Sequence, residues 1–304
     1  MSLHVFANFV TPFGTAANNR AETEGNTTTL QKLLWQGDTH STVSAEAIRF
    51  ALRRRLATAE SKGTNREWNE TERVNGWKEP GFKGWASEKG ETFIDDDLLG
   101  YMTAEAAKEE GQAGSANVRR AVLEVTRAVS LTPWAGDVTF NAASPGATPS
   151  AQKKGSNPVP YGTEVHATRY QYGIALTPER LRDKSRAAKA IEALSGLGTV
   201  AGNHGRFLFD FSPDAVVFRL TADPAPRLLY CFNTTDEGKT VTADGIVNRI
   251  KSGDIAKEEL VVGSADLSSP LVAQLKTVGV TAVGVKAACA EAVKRINGKL
   301  GLTG

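Results

Sequence analysis

Hydrophobic and polar residues alternate in several short segments of the chain, and this period of two predicts β-strands. A first strand is predicted over residues 3–10, where it ends at a Thr-Pro pair. A second is predicted over 119–131 and a third over 165–176, the latter with Tyr170, Tyr172, Ile174 and Leu176 on one face. Further strands are predicted at FLFDF (207–211), AVVFRL (215–220), 259–263 and 280–285.

The clearest helical pattern covers residues 44–58. Ser44 suits the N-cap, and Glu46 lies in the first turn, where a negative charge is favourable. The apolar stripe consists of Ala47, Ile48, Ala51, Leu52 and Leu56. The opposite side carries Arg49, Arg53, Arg54 and Arg55 and forms a positive surface. Other helices are predicted at 103–113, 179–197, 269–278 and 286–299, and residues 30–40 fit a strand or a broken helix.

Two segments interrupt this pattern. Residues 59–97 hold ten acidic and six basic residues and three of the five tryptophans, which predicts a loop-rich insertion held by aromatic anchors. The insertion ends in three aspartates, 95–97, which we interpret as a solvated acidic loop or a helix N-terminus, with Mg²⁺ binding as the alternative. Residues 141–163 hold four prolines and three glycines and no acid, so this segment is expected to project from the body.

Without the insertions, the predicted order is β-α-β-β-α-β, which is typical of the ferredoxin-like or RRM-like plait, an α+β fold. Enzymes, metal-binding proteins and RNA-binding proteins all use this fold, so the fold alone does not indicate the function.

Composition narrows the class of protein. The chain has 304 residues, 40% of them hydrophobic and 23% charged, which excludes intrinsic disorder. It has no apolar run long enough for a membrane span and no export signal, so a cytoplasmic location is expected. The two cysteines are too few for a disulfide framework or a zinc site. The net charge of +2 gives no global indication of nucleic-acid binding, which must then be argued from local clusters.

Motifs for catalysis are absent from the sequence. It contains no nucleophile elbow, no Walker A motif and no H-E-x-x-H, and nothing in it indicates a cofactor. A glycine-rich turn, GLGTVAGNHGR (196–206), could expose backbone N–H groups to a phosphate backbone beside Asn203, His204 and Arg206. A simple tight turn before a strand explains the glycines equally well.

A second cluster could also bind phosphates. Arg49 and Arg53 are four residues apart and share one helical face, and Ser44 opens the same helix. Asn18, Asn19 and Arg20 lie in the loop after the first strand. A solvated basic face is the alternative. Tyr170 and Tyr172 could stack on bases, but they share a face with aliphatic residues, so we expect them to pack inward.

Four segments in order resemble one family: HVFANFVTPFGTAANNR, STVSAEAIRFALRRR, FIDDDLLGYM and GNHGRFLFDFSPD. They resemble the DevR branch of the CRISPR-associated backbone subunits, part of the repeat-associated (RAMP) superfamily and typical of type I-B and related Cascade complexes. The resemblance runs from residue 4 to about 219 and is weaker in the C-terminal third.

The resemblance implies a hand-shaped subunit. Its palm would comprise residues 1–58 and 118–304, its fingers 59–117, and its thumb hairpin about 138–165. Such subunits polymerise head-to-tail along a CRISPR guide RNA (crRNA), present it to a target DNA strand, and contact guide-end-capping, large and small subunits. The near-neutral total charge would then allow the acidic 59–97 segment to face basic surfaces of a neighbouring copy.

The resemblance also assigns guide contacts to particular positions. They are Asn19, Arg20, Ser44, Arg49 and Arg53, with Asn18 beside them, and, less directly, Asn203, His204 and Arg206. Lys153 and Lys154 are candidates for the thumb from composition only.

Two enzyme alternatives remain. Related type III subunits are metal-dependent ribonucleases with an acid in the loop after the first strand. Here that loop holds Glu22, Glu24 and Asp38, outside the glycine-rich, Asp-containing context of those enzymes. A metabolic enzyme on the same plait would need an acid/base pair in a recognisable setting, which the sequence lacks. We therefore expect no catalysis.

Overall fold

The computed structural model describes residues 2–17, 23–105, 115–147 and 157–302, without the side chains at 104, 105, 115 and 116. Five of the predicted RNA-binding residues lie outside the described residues: Asn18, Asn19, Arg20, Lys153 and Lys154.

The described residues form short strands and helices along the whole chain. The strands are β1 (His4–Val10), β2 (Gly14–Ala17), β3 (Thr23–Glu24), β4 (Thr27–Thr28), β5 (Lys32–Trp35), β6 (Asp38–Val43), β7 (Arg66–Asn69), β8 (Val74–Trp77), β9 (Tyr101–Glu105), β10 (Ser115–Arg119), β11 (Leu123–Val125), β12 (Ala128–Ser130), β13 (Val138–Ala143), β14 (Val159–Thr168), β15 (Tyr170–Leu176), β16 (Ala215–Thr221), β17 (Asn233–Thr235), β18 (Thr240–Thr242), β19 (Leu260–Ser264) and β20 (Ala282–Val283). The helices are α1 (Ala45–Leu56), α2 (Ile94–Leu99), α3 (Arg186–Ser195), α4 (Asp244–Lys251), α5 (Pro270–Lys276) and α6 (Val285–Leu300).

A large mixed sheet organises the described part of the chain. Its strand order is β20-β19-β16-β1-β15-β12-β6-β5, and β11 also pairs with β15. The four central strands, β16, β1, β15 and β12, are antiparallel to their neighbours. With α1 after β1 and α3 after β15, these elements follow the predicted order β-α-β-β-α-β. The fold is thus mixed α/β with the predicted strands at its centre.

Both faces of the sheet are covered, which explains why β1 is almost continuously hydrophobic. Side chains alternate along a strand, so Val5, Ala7 and Phe9 pack on one face with α1, α3 and α6. Phe6 and Val10 pack on the other face with α4 and α5. Tyr170 and Tyr172 are buried in the first of these cores. Burial raises the pKa of Tyr170 to about 12, and the prediction that both rings pack inward is confirmed.

Several predicted elements are wrong or incomplete. The predicted strand 119–131 is divided into β11 and β12, and residues 207–211 form no strand. The predicted helix at 103–113 is wrong for its described residues, because 101–105 form β9, which pairs with β10. Gly100 has φ 66° and ends α2, so the chain turns there, and Tyr101 stacks on Phe82 with ring centroids 3.7 Å apart. This tertiary contact outweighs the helical preference of the local composition.

The two described ends of the segment predicted to project pair as strands, and we call β13 and β14 together the hairpin. β13 and β14 are antiparallel, from Val138 opposite Glu164 to Ala143 opposite Val159. β14 also pairs with β2 and β4, which attaches the hairpin base to the segment after the first strand. Phe140 lies on this hairpin with 80% of its surface exposed.

Candidate nucleic-acid interface

Ser44 is the N-cap of helix α1, as predicted. Ser44 is extended (φ −67°, ψ 150°), and its hydroxyl oxygen accepts a hydrogen bond from the Ala47 N–H at 3.2 Å. Ile48, Leu52 and Leu56 on the predicted stripe are buried, so packing fixes the rotation of the helix. The N-terminus of the helix therefore lies at a defined place beside the sheet.

The glycine-rich turn contacts β2, the strand that ends just before residues 18–20. The Asn203 N–H donates to the Ala17 carbonyl at 2.9 Å, and the Arg206 N–H donates to the Asn203 carbonyl at 3.1 Å. Gly202 has φ 120°, and a Cβ there would lie 2.9 Å from the Ala17 oxygen. Only glycine fits this position, so the turn depends on close backbone approach.

A narrow pocket joins these two features. Ala17, Ser44, Gly202 and His204 line it together, with Phe209 among the apolar side chains below. His204 Nδ1 accepts a long hydrogen bond from the Phe209 N–H at 3.4 Å, while Nε2 is buried with no partner among the described residues. The structure therefore brings together Ser44 and His204, which are 160 positions apart in the sequence.

Arg206 extends from the same turn toward the hairpin. Its guanidinium lies 5.2 Å from the ring centroid of Tyr161 on β14, and the side chain is exposed. Ala17, bonded to the turn, directly precedes the predicted contacts at 18–20. Asn203, His204 and Arg206 thus belong to one turn that is hydrogen-bonded to the end of β2 and reaches the hairpin. Their role in RNA binding stays a prediction.

Arg49 and Arg53 belong to a different environment. Arg49 Nη2 donates to the Leu99 carbonyl, and burial followed by the charge of Arg53 lowers the Arg49 pKa. Arg53 Nε forms an ion pair with Asp95 Oδ2 at 3.1 Å. The predicted shared helical face is present, but both guanidiniums contact α2 and neither lines the pocket with Ser44. Their role in RNA binding also stays a prediction.

The three aspartates 95–97 are not solvated. They lie in the first turn of α2, so the predicted helix N-terminus is confirmed, but each is at most 1% exposed and the predicted solvated loop is wrong. These three carboxylates face the interior of the chain, and the hypothesis that the acidic 59–97 segment faces a neighbouring copy stays a prediction. Asp95 Oδ1 accepts from the Asn65 N–H at 2.7 Å, and Oδ2 accepts from the Arg66 N–H at 3.0 Å.

Asp97 joins the insertion to the helices. Its Oδ1 accepts from Arg119 Nη2 at 2.6 Å, and its Oδ2 accepts from Arg186 Nη1 at 3.0 Å. Arg186 also binds both carboxylate oxygens of Glu60, at 3.0 and 2.9 Å. For Glu60, burial raises the pKa, but hydrogen bonds from Arg186 and Lys189 outweigh it and the pKa is lowered. The sequence carried no signal for this network, because its hydrogen-bonded pairs lie 22 to 129 positions apart.

Asp96 is the exception within this triplet. Its Oδ2 accepts from Asn65 Nδ2 at 2.9 Å, whereas Oδ1 is buried and has no partner among the described residues. Burial, and secondly the charge of Asp95, raise its pKa to about 7. Asp96 therefore lacks the guanidinium partners that Asp95 and Asp97 have.

A further basic cavity was not predicted. Arg53, Arg54, Arg66 and Lys78 line it beside Trp68, and Glu67 forms an ion pair with Lys78 at 3.4 Å. Only the arginines on α1 could be singled out from the sequence, since Arg66 and Lys78 join them through the β7–β8 hairpin.

His166, one of the four histidines, lies in a buried hydrogen-bonded cluster. Ser41 is fully buried, and its oxygen lies 2.7 Å from both His166 Nδ1 and the Tyr170 hydroxyl. Burial lowers the His166 pKa to about 4. Glu24 and Asp38 are exposed. The described residues contain no group of three or more His, Cys, Asp or Glu side chains that could hold a metal ion. The absence of catalysis stays a prediction.

Comparison with known proteins identifies the family. Residues 11–195 match the model of the family "CRISPR-associated negative auto-regulator DevR/Csa2". A relative from Myxococcus xanthus (strain DK1622), "CRISPR-associated protein Cas7/Cst2/DevR", is 61% identical over 300 residues, which cover 97% of this chain and 98% of the relative.

Solved structures share the fold at low sequence identity. Chains of a "CRISPR RNA-guided surveillance complex" and of a complex with the same title in a pre-nicking state align with TM-scores of 0.56 and 0.55. Both are 13% identical, and the alignments cover 97% and 95% of this chain and 99% and 100% of the other chains. None of the described helices is both long and apolar enough to cross a bilayer. The match to the family model and the 61% identical relative show that the chain belongs to the DevR/Csa2 family of CRISPR-associated proteins.

Proposed function

We propose that this chain is a crRNA-binding backbone subunit of a Cascade-type surveillance complex and has no catalytic activity of its own. Family membership supports the class of protein, and the titles of the similar structures name RNA-guided complexes. The observation that carries the proposal is the meeting of Ser44, the glycine-rich turn and the end of β2 around one pocket. A helix N-terminus beside a glycine-rich turn that carries the exposed Arg206 suits a phosphate backbone without reading its sequence.

In this proposal the large sheet is the palm, residues 59–117 are the fingers, and the hairpin near 138–165 is the thumb. Arg206 lies between the glycine-rich turn and Tyr161 on the hairpin, so one guanidinium can contact a strand that passes between palm and thumb. The hairpin carries the exposed Phe140, which suits contact with a neighbouring copy in a head-to-tail filament. The guide would pair with a target DNA strand, and the complex would be cytoplasmic.

The test is co-expression of the chain with its neighbouring genes, followed by extraction of nucleic acid from the purified assembly. We expect RNA of discrete length with a spacer flanked by repeat sequence. Arg206→Glu should lower the RNA recovered per protein, because it places a negative charge beside the phosphates. Lys251→Glu, an exposed lysine on α4 outside this region, is the matched control. A clean monomer without RNA, or equal RNA in both variants, would contradict the proposal.

The same preparation tests for catalysis. Incubation with complementary RNA and Mg²⁺ or Mn²⁺ should leave the RNA intact. Regularly spaced cleavage that Asp38→Ala abolishes would instead favour the type III-like ribonuclease.

A further inference from the structure

An arginine notch lies at the base of the 59–117 segment, outside every position predicted to bind RNA. We define it by five side chains: Trp85, Arg119, Arg120, Arg180 and Arg182. Two adjoining cavities of about 350 and 390 Å³ share three of these, Trp85, Arg119 and Arg180. The two cavities therefore share one lining, in which four arginines lie around an indole ring.

The tryptophan is held between two of the arginines. The guanidinium of Arg119 lies 4.0 Å from the Trp85 ring centroid, and that of Arg182 lies 5.0 Å from it. Arg119 donates to the carboxylate of Asp97 at 2.6 Å, but Arg182 Nη1 donates only to the carbonyls of Ser87 and Glu88, each at 2.7 Å. Carbonyl oxygens are neutral, so the positive charge of Arg182 has no carboxylate partner in the described chain.

Of the other two arginines of the notch, Arg120 has a carboxylate partner and Arg180 has none. Arg120 pairs with Glu124 at 3.1 Å in an exposed position, where such a pair contributes little. The exposed side chain of Arg180 has no acceptor among the described residues. The carboxylate of Glu88 lines the notch at its exposed edge and forms no ion pair in the described residues. Asp97 pairs with Arg186 as well as with Arg119, so its single charge does not neutralise both. The notch therefore keeps an excess of positive charge.

Hydrogen-bond donors also exceed acceptors here. Trp85 Nε1 and Arg119 Nε are both buried and have no partner among the described residues. Both are N–H groups that can only donate. Most buried polar groups in proteins are paired, so two unpaired donors in one notch indicate a ligand that brings acceptors.

We propose that the arginine notch binds a phosphate group of a single-stranded nucleic acid, at a site separate from the pocket of Ser44 and His204. Guanidinium groups bind phosphate through paired, charge-assisted hydrogen bonds. Arginines combined with an aromatic ring are typical of surfaces that hold single strands without sequence preference. A nucleotide offers two charged oxygens together with ester and sugar oxygens, more acceptors than the carboxylate of an acidic peptide. This site goes beyond the proposed guide binding and does not depend on it.

Arg180→Glu is the sharpest test, because this side chain has no internal partner whose loss would disturb the fold. The full chain is titrated into a fluorescent dT₂₀ oligonucleotide, and anisotropy is read at several salt concentrations. We expect about tenfold weaker binding and a salt dependence reduced by about one ion, as for loss of one phosphate contact. The matched control Lys251→Glu should stay within about twofold of the parent chain. Unchanged binding by Arg180→Glu would overturn the proposal.

Two more measurements separate this site from its alternatives. Ultraviolet irradiation should cross-link the oligonucleotide to Trp85, and Arg180→Glu should reduce that cross-link. Polyglutamate that displaces the oligonucleotide at an equal or lower concentration of charges would overturn the proposal in favour of an acidic protein partner. In the co-expressed assembly, Arg180→Glu should retain the RNA that Arg206→Glu loses. Equal loss of RNA in both variants would show that the notch is part of the guide site.

Discussion

At the scale of single residues, neighbouring identical side chains have different roles. Asp95, Asp96 and Asp97 are adjacent, and burial together with the charge of Asp95 raises the pKa of Asp96 to about 7. The other two carboxylates receive hydrogen bonds from guanidiniums and backbone N–H groups on both oxygens. Successive helical residues point in different directions, so each aspartate meets a different set of partners.

Asp97→Asn should destabilise the chain strongly. It removes one of the two carboxylates that pair with the buried Arg186, together with the carboxylate partner of Arg119, and breaking one side of a buried pair costs about 3 kcal/mol or more. The free energy of unfolding is measured by urea denaturation. Asp254→Asn is the matched control, since its ion pair with Arg249 is exposed and should contribute less than about 1 kcal/mol. Equal losses in the two variants would contradict a structural role for Asp97.

Asp96→Asn should change how stability depends on pH. The folded pKa of about 7 lies above the unfolded value of 3.8, so this group favours folding at low pH and loses that contribution as the pH rises through 7. Between pH 5 and 8 the parent should lose roughly 2 to 3 kcal/mol through Asp96, at about 1.4 kcal/mol per pKa unit, and the variant should not.

The free energy of unfolding must be compared between parent and variant, because His166 makes stability depend on pH in the opposite direction. Its folded pKa of about 4 lies below the ordinary 6.5, so its contribution is lost as the pH falls. Urea denaturation of both proteins at pH 5 and pH 8 isolates Asp96. If parent and variant differ in the free energy of unfolding by the same amount at pH 5 and at pH 8, the raised pKa of Asp96 is contradicted.

At the scale of elements, a turn and a helix N-terminus from distant parts of the chain form the candidate interface. The glycine-rich turn is held by hydrogen bonding to Ala17, and α1 is held by its buried stripe. The helix could be predicted from its periodicity and N-cap. Its proximity to the turn could not, because it depends on how β1 and β2 pair with β15 and β14.

Gly202→Ala should disrupt this turn. At φ 120° a methyl group is strained and lies 2.9 Å from the Ala17 carbonyl, so a loss of about 1–3 kcal/mol is expected. Less RNA should also co-purify, if the turn binds the guide as proposed. Gly205→Ala is the matched control, because the nearest atom to its new methyl is 3.9 Å away. The melting temperature and the RNA-to-protein ratio are measured for both variants, and parallel behaviour would contradict a special role for Gly202.

At the scale of the whole molecule, basic side chains gather on certain surfaces, whereas several acidic side chains are buried. The sum of +2 conceals the basic surfaces around α1 and the arginine notch, because many acids are used inside the fold. The 59–97 segment is acidic in composition, but the carboxylates at its end pair with Arg53, Arg119 and Arg186 of the same chain. In the proposed filament, contacts between copies would therefore use surfaces other than these aspartates.

Phe140→Asp should shorten the assemblies formed with guide RNA. The exposed ring lies on the hairpin proposed as the thumb, and a charge there would oppose burial against a neighbouring copy. Leu267→Asp replaces another exposed apolar residue outside the hairpin and is the matched control. Analytical ultracentrifugation of the assemblies measures the effect, and unchanged sedimentation of the Phe140 variant would contradict this contact.

The sequence by itself determined the strands and helices at the centre of the fold, and the N-cap at Ser44, because these follow from local periodicity and from burial on both sides of β1. It also indicated the family through four motifs in order. Only the tertiary structure decided which charges are free. Arg53 and the aspartates 95–97 meet through contacts between distant segments, whereas Arg180 and Arg206 remain exposed. A charged side chain is solvated or paired according to the partners that folding brings to it, and composition does not encode that choice.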